Sequence, residues 1–411
     1  MSTKKLHHNR HLPEEIIVQI LCRLPIKPLI RFSSVSKRWH YLIIKDPQFA
    51  QSHFKLASDR KTLTQRLLIS TDYQLRSLDP ETPSFVDNDS SLHNLTFRHF
   101  SNLLGCCNGL VCVDVDGYEK HDLSLWNPST GFKHELPDSD FACAVKIMSC
   151  FAESDFGRSG LGYVSSTDDY KIFIDADVYS KPSQTFMEIY SIRLNSWKPI
   201  QVRGHDPSCS FRSPTTSWGP LTNEALHWFY RKVGEEEPTI LAFDLAKEEF
   251  REVPFPTFDG DADDIDVNDM GVQVVSRGGG GGGGECLCVS ITRRRGGVNF
   301  MEFWVMREYG VRESWTMLFK FNTDHVSESL GGNLHGYEAI FVSEGGTVIF
   351  RLRDRDRLVR IECRREAEPV CSTPFNVNDG DGPVYNVIAY NETLFSVPKL
   401  GLHEMNEADV S

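Results

Sequence analysis

SLWNPSTGFKHELP, residues 124–137, reads as a strand, a tight polar turn and a second strand. Trp126 ends the first strand, Asn-Pro-Ser-Thr-Gly supplies turn chemistry, and Phe132 opens the second. The same grammar returns in EIYSIRLNSWKPI (188–200), LAFDLAKEEFREVP (241–254), EFWVMREYGVRESWTML (302–318) and, more weakly, LVRIECRREAEPV (358–370). Aligned on one column, the lines place Trp126, Tyr190, Phe243, Trp304 and Arg360 at separations of 64, 53, 61 and 56. A second bulky residue follows at Phe132, Trp197, Phe250 or Trp315.

Further strands lie upstream of most lines: GLVCVDV at 109–115, YKIFIDADVY at 170–179, ALHWFY at 225–230 and CLCVSI at 286–291. About four strands per period of roughly 50–60 residues suit the blades of a kelch-type β-propeller. Five periods fill residues 104–372, and two strand-like pieces remain at each end: RLLIST and QLRSLD near 66–79, YNVIAY and ETLFSV near 385–397. A blade stitched from both ends closes the ring and removes the sheet edges that an open array exposes. The expectation is an all-β propeller of six blades. Seven remain compatible, because the periods differ in length by eleven residues, and a pair of β-sandwiches with long loops is the competing arrangement. The column aromatics Trp126, Tyr190, Phe243 and Trp304 are expected to pack blades rather than bind a ligand.

The first sixty residues follow another period. In LPEEIIVQILCRLPIKPLIRFSSVSKRWHYLIIKDPQFAQSHF (12–54), Pro13 suits a first helical position, and Glu14 and Glu15 favour the positive end of the helix dipole. Ile16, Ile17, Ile20, Leu21 and Leu24 then recur at helical spacing. Pro25 and Pro28 break that helix and shorten the next around Leu29–Phe32. Ser33 or Ser34 can cap a third, with Val35, Trp39, Leu42 and Ile43 on one face, and Asp46-Pro47 opens a fourth segment. A unit of about 45 residues cannot enclose so much apolar surface by itself. Something else must cover it.

LPxExxxxILxRLPxKxLxRFxxVxKxW matches an F-box at Leu12, Pro13, Glu15, Ile20, Leu21, Leu24, Pro25, Leu29, Val35, Lys37 and Trp39; Ser34 and Ser36 stand where the family often carries cysteines. GCCNGLVCV, LWNPSTG, GLGYVSSTDDYKI and the column lines resemble the F-box-associated domain of plant F-box proteins, grouped with kelch proteins and shared in layout with the S-locus F-box proteins. The resemblance implies a substrate-recognition subunit of a Skp–cullin–F-box ubiquitin ligase. The helical head would bind an acidic Skp adaptor, and through it cullin, with Leu12, Pro13, Ile16, Ile20, Leu21, Leu24, Pro25, Leu29, Val35, Lys37 and Trp39 facing the adaptor or supporting that face. The propeller would hold a target protein for ubiquitination. The organisation expected is a tail at 1–10, a helical F-box of three to four short helices at 11–56, a propeller at 57–399 with a flexible insert at 259–284, and a tail at 400–411. With the ring closed by its own ends, no helical lid is needed.

Charge agrees with that division. Residues 1–60 carry eleven Lys/Arg against four Asp/Glu, so of the net charge of −13 the remainder holds −20. An acidic body argues against nucleic-acid binding, since phosphate contacts need clustered cations. No apolar run approaches a membrane span. MSTKKLHHNRH lacks the apolar core of a secretion signal, which points to the cytoplasm or nucleus. The eleven cysteines suit reduced thiols, and the triplets at Asn88, Asn94 and Asn391 would go unglycosylated.

Catalytic and metal chemistry find little support, and no cofactor is expected. Cys106, Cys107 and Cys112, like Cys286 and Cys288, have no histidine at zinc spacing. His7, His8 and His11 lack further ligands. In the acidic run DGDADDIDVND (259–269), Asp259, Asp261 and Asp263 alternate as in a calcium loop, but Asp264 and Met270 stand where glycine and glutamate are needed. Seven glycines at 278–284 are followed by Glu285 instead of a Lys-Ser/Thr pair, so they make a tether and no phosphate cradle. No nucleophile elbow or HExxH motif occurs. Two alternatives remain: a propeller enzyme, marked by titratable residues converging on one mouth, and a scaffold without ligase association, marked by a degraded apolar head.

Overall fold

The computed structural model describes residues 12–71, 75–80, 101–117, 120–139, 158–177, 185–200, 218–230, 239–258, 265–276, 285–330, 337–352, 357–363, 369–371, 375–376 and 384–397. The head comprises α1 (Glu14–Leu21), α2 (Ile26–Phe32), α3 (Lys37–His40), a π-helical turn (Tyr41–Lys45) and α4 (Pro47–Asp59). Pro13 and Pro25 stand one position earlier than the first turn, as the residues that lead into α1 and α2. The cap of α3 is Ser36 rather than Ser33 or Ser34: its Oγ accepts from the Trp39 N–H at 3.1 Å. The other two hydroxyls turn back to the carbonyls of Ile30 and Arg31. Asp46 caps α4 by accepting from the N–H groups of Gln48 and Phe49, with Pro47 next, where its missing N–H costs nothing.

The body is six sheets in a ring. Blade 1 holds β3 (Ser101–Cys107), β4 (Leu110–Gly117), β5 (Lys120–Trp126) and β6 (Lys133–Glu135). Blade 2 holds β7 (Ser159–Val164), β8 (Asp169–Asp177), β9 (Thr185–Ser191) and β10 (Ser196–Pro199). Blade 3 is β11 (Leu221–Thr222), β12 (Ala225–Tyr230), β13 (Thr239–Asp244) and β14 (Glu249–Val253). Blade 4 is β15 (Ile265–Ser276), β16 (Glu285–Arg295), β17 (Val298–Met306) and β18 (Trp315–Asn322), followed by helix α5 (Thr323–Leu330). Blade 5 is β19 (Tyr337–Val342), β20 (Thr347–Leu352) and β21 (Arg357–Glu362), which pairs with both β22 (Val370–Cys371) and β23 (Phe375–Asn376). Blade 6 joins the two ends of the chain: β1 (Gln65–Thr71) lies between β2 (Leu75–Leu78) and β24 (Val384–Asn391). Every pairing is antiparallel within a blade, and β1 meets β24 in register from Gln65↔Asn391 to Ser70↔Asn386.

Six apolar clusters fill the six seams between neighbouring blades, the last between blades 5 and 6 and the first between blades 6 and 1. Each seam buries aliphatic and aromatic side chains from both sheets. The ring is closed by its core, at about 25 cal/mol per Å² of apolar surface removed from water.

The column residues all fall on the third strand of a blade. Trp126, Tyr190 and Phe243 are buried, each against the preceding blade. Tyr190 pairs with Trp197 and Phe243 with Phe250, their ring centroids 5.0 and 4.9 Å apart. Trp304 is half-buried against the preceding blade too, beside Phe258, although a register shift at Phe303/Trp304 sets it opposite Met317 while Trp315 pairs with Met306. Arg360 departs from the column. In blade 5, Val359 and Ile361 face blade 4, so Arg360 points the other way, toward the Pro80 carbonyl at 3.2 Å. A shift of one residue changes the face of the sheet.

Three further expectations are corrected. Residues 265–276 of the supposed insert form β15, whose Val272–Val274 stretch lines the axis; only 259–264 and 277–284 lie outside the described residues, as do His7, His8, His11, Asn88 and Asn94. The acidic and glycine runs on either side hid its apolar alternation. ETLFSV is not a strand: residues 392–397 follow β24 with no sheet partner among the described residues. The head is also not separate from the ring, since Leu394 joins its core and α4 lies beside the channel mouth.

Candidate functional site

Helix α1 has two apolar faces because apolar residues nearly surround it. Ile17, Val18 and Leu21 turn inward, joining Ile26, Leu29, Ile43 and Phe49 in the core of the head. Ile16 and Ile20 turn out. With Leu12, Phe32, Val35 and Tyr41 they make six of the ten exposed large hydrophobic residues among the described chain, all within thirty positions. Val35 is 63% exposed and Leu12 58%. Single exposed apolar residues are ordinary; a cluster of six marks an interaction surface.

The elements that present this surface are tied together. An ion pair between Glu14 and Arg38 draws the start of α1 to α3. Phe32 meets Trp39 edge-on, with centroids 6.1 Å apart. Of the residues singled out by the sequence, Leu12, Pro13, Ile16, Ile20, Pro25, Val35 and Lys37 are exposed and Leu24 and Trp39 half-buried. Leu21 and Leu29 are interior and pack in the core of the head. Val35 precedes α3 and is exposed, so it leaves the face on which Trp39, Leu42 and Ile43 pack into the core of the head. Phe32 and Tyr41 are additions, legible only as apolar residues next to the motif positions. Arg23, Arg31, Lys37, Arg38 and Lys45, in the same stretch of chain, are exposed as well.

The second candidate is the axial channel, a cavity of about 790 Å³. Inner strands β3, β15, β19 and β24 line it, and Phe54, Ser58 and Lys61 close in from the head. Its thiols are poor nucleophiles. Burial, with the charge of Glu285, pushes Cys106 up to about 12 and Cys107 well above its ordinary value. The Cys106 thiol donates to the Ala389 carbonyl at 3.0 Å. Glu285 opens onto the channel, yet the protein around it raises its carboxyl above the usual range. Cys112, Cys286 and Cys288 are buried inside blades.

Elsewhere, His227 lies fully buried between blades 3 and 4, its Nε2 2.6 Å from the Tyr309 hydroxyl, which also accepts from Arg251 at 2.8 Å. Burial lowers its pKa to about 3, so it stays neutral. Arg293 and Glu302 form a buried ion pair with Arg293 over the Phe258 ring. Among the described residues no group of three or more His, Cys, Asp and Glu could hold a metal, and no helix is long and apolar enough to cross a membrane.

Residues 10–49 match the F-box domain, and residues 63–395 match the F-box associated β-propeller domain. Among curated proteins, F-box/kelch-repeat protein At3g23880 of Arabidopsis thaliana is 26% identical, covering 95% of this chain and 99% of its own. F-box protein CPR1 of the same plant is 28% identical over 75% of this chain and 72% of its own. The head with an outward apolar face, the six-bladed ring and these matches agree: the chain belongs to the F-box proteins that carry an F-box associated β-propeller.

Proposed function

We propose that this protein is the substrate-recognition subunit of a Skp–cullin–F-box ubiquitin ligase. The observation that carries the reading is the exposed set Leu12, Ile16, Ile20, Phe32, Val35 and Tyr41, with exposed Arg and Lys side chains in the same stretch, suited to an acidic partner. An acidic Skp-type adaptor covers that face and links the chain to cullin. The propeller then holds a target on loops at the mouth away from α4, where variable loops stand on a rigid scaffold. Its acidic surface favours a target with a basic contact region. The subunit performs no bond chemistry. It accelerates ubiquitin transfer by placing the target beside the charged conjugating enzyme, which turns a bimolecular encounter into an effectively intramolecular one.

Co-purification with a recombinant Skp-type adaptor tests this. The wild-type chain is expected to retain the adaptor. Ile20→Asp and Val35→Asp should release it without unfolding the head, because both side chains are exposed. Leu24→Asp and Trp39→Asp should release it and also loosen the helices. Retention by all four variants would overturn the proposal.

A further inference from the structure

After β24 the chain continues as a strap, Glu392–Val397, pinned to the ring on one side. Asn127 is fully buried in blade 1 at the WNPSTG turn. Its Nδ2 donates to the carbonyls of Thr393 at 3.1 Å and Phe395 at 2.8 Å, while its Oδ1 accepts from the N–H groups of Ser129 and Thr130 and shapes the turn. The Thr393 hydroxyl donates to the Asn108 carbonyl at 2.8 Å. Gly109, at φ +77°, leaves room for the strap: a Cβ there would lie 2.5 Å from the Asn391 oxygen and 2.8 Å from Thr393 Cγ2. The Glu392 N–H donates to the Thr64 carbonyl at 2.8 Å, in the link between α4 and β1.

The other side of the strap belongs to the head. Leu394, 3% exposed, packs with Leu21, Leu29, Ile43 and Phe49. Phe395 stands edge-on to Phe54, centroids 5.0 Å apart, and also packs into the seam between blades 1 and 2, where Val397 is buried. One short segment therefore completes the core of the head and is held by a side chain of the ring.

We propose that Asn127 is a positioning residue for the docking head: it acts through the strap, so that the F-box is firm and fixed in orientation only when the ring is closed. Asn127 itself does not appear in the head's core. The coupling stands on packing and hydrogen bonds. Its value for ubiquitin transfer rests on the ligase reading, and the experiment uses the full-length chain without an adaptor, so the two stand or fall separately.

Hydrogen exchange read by mass spectrometry distinguishes the possibilities. Asn127→Asp keeps the acceptor that shapes the turn but replaces the donating amide with a carboxylate oxygen facing two carbonyls. It is expected to accelerate amide exchange in α1, α2 and α4 by about tenfold, the scale of a lost buried hydrogen bond, while β8, β9, β12 and β13 keep their rates. Leu394→Ala removes only the head contact and should give the same pattern. Unchanged exchange in the head for either variant would overturn the coupling. Equal acceleration in head and ring for Asn127→Asp would overturn it too, because the strap would then serve ring closure alone.

Discussion

The Nε2 of His53, on α4, lies 2.8 Å from the carbonyl oxygen of Leu24, just beyond the end of α1. The ring is buried, and desolvation lowers its pKa below 6.5 despite the bond to Leu24. His53→Ala leaves that carbonyl without its partner and a gap between the helices, at a cost of about 1–3 kcal/mol. Adaptor affinity should fall with it, measured by calorimetry beside the exposed Lys55→Ala control on the same helix.

Acid should soften the molecule in a defined window. His53 and His227 both have folded pKa values below the unfolded value, so the unfolded chain takes up protons first. Stability is complete above about 6.5 and falls as pH drops; for His227 the loss continues toward about 3, at about 1.4 kcal/mol per pH unit. Urea midpoints measured across that range should fall steadily. Tyr309→Phe leaves the Nε2 of His227 without its partner and should lower stability at neutral pH by about 1–3 kcal/mol, read as a lower midpoint.

Arg293 and Glu302 offer a double-variant test. Glu302→Leu alone takes the carboxylate away from the buried Arg293 guanidinium and should cost about 3–5 kcal/mol. Adding Arg293→Met removes the buried charge as well, so the double variant should be more stable than Glu302→Leu. Guanidinium unfolding curves for the three chains decide it.

Gly105 sets how closely blades 1 and 2 approach. A Cβ there would lie 2.6 Å from the backbone nitrogen of Leu161 on β7, so Gly105→Ala must push two inner strands apart. A loss of at least about 2 kcal/mol is expected, with the melting transition of the ring as readout.

Much of the ring could be read from the chain, and the failures have physical causes. β8 and β12 stood out because short runs rich in β-branched and aromatic residues, KIFI and HWFY, mark a buried strand. Inner strands such as SGLGYV and the second half of IDVNDMGVQVVS did not, since glycines admit close neighbours and give no period. Arg360 failed by one residue, an error that strand period alone cannot detect, while Trp304 packs against the preceding blade as expected. In the head, the helices and the outward Ile16 and Ile20 were legible, but the inward roles of Leu21 and Leu29 were not. Apolar residues all round α1 hide which face is covered. ETLFSV reads as a strand because Leu394, Phe395 and Val397 are apolar for another reason: they meet the head and a blade seam.

The pairing of Gln65 with Asn391 joins positions 326 residues apart. On the ribosome, β1 and β2 emerge first and wait for β24 while five blades are made. Bringing such distant segments together costs about 5 kcal/mol of chain entropy, returned only when the whole ladder forms. Until then β1 has one open side and the blades beside the gap have uncovered faces, the state in which a sheet protein is most exposed to mispairing. Folding should therefore be slow, with β1–β24 docking as its late event, and a newly made chain should depend on protection for the time its last strand takes to arrive.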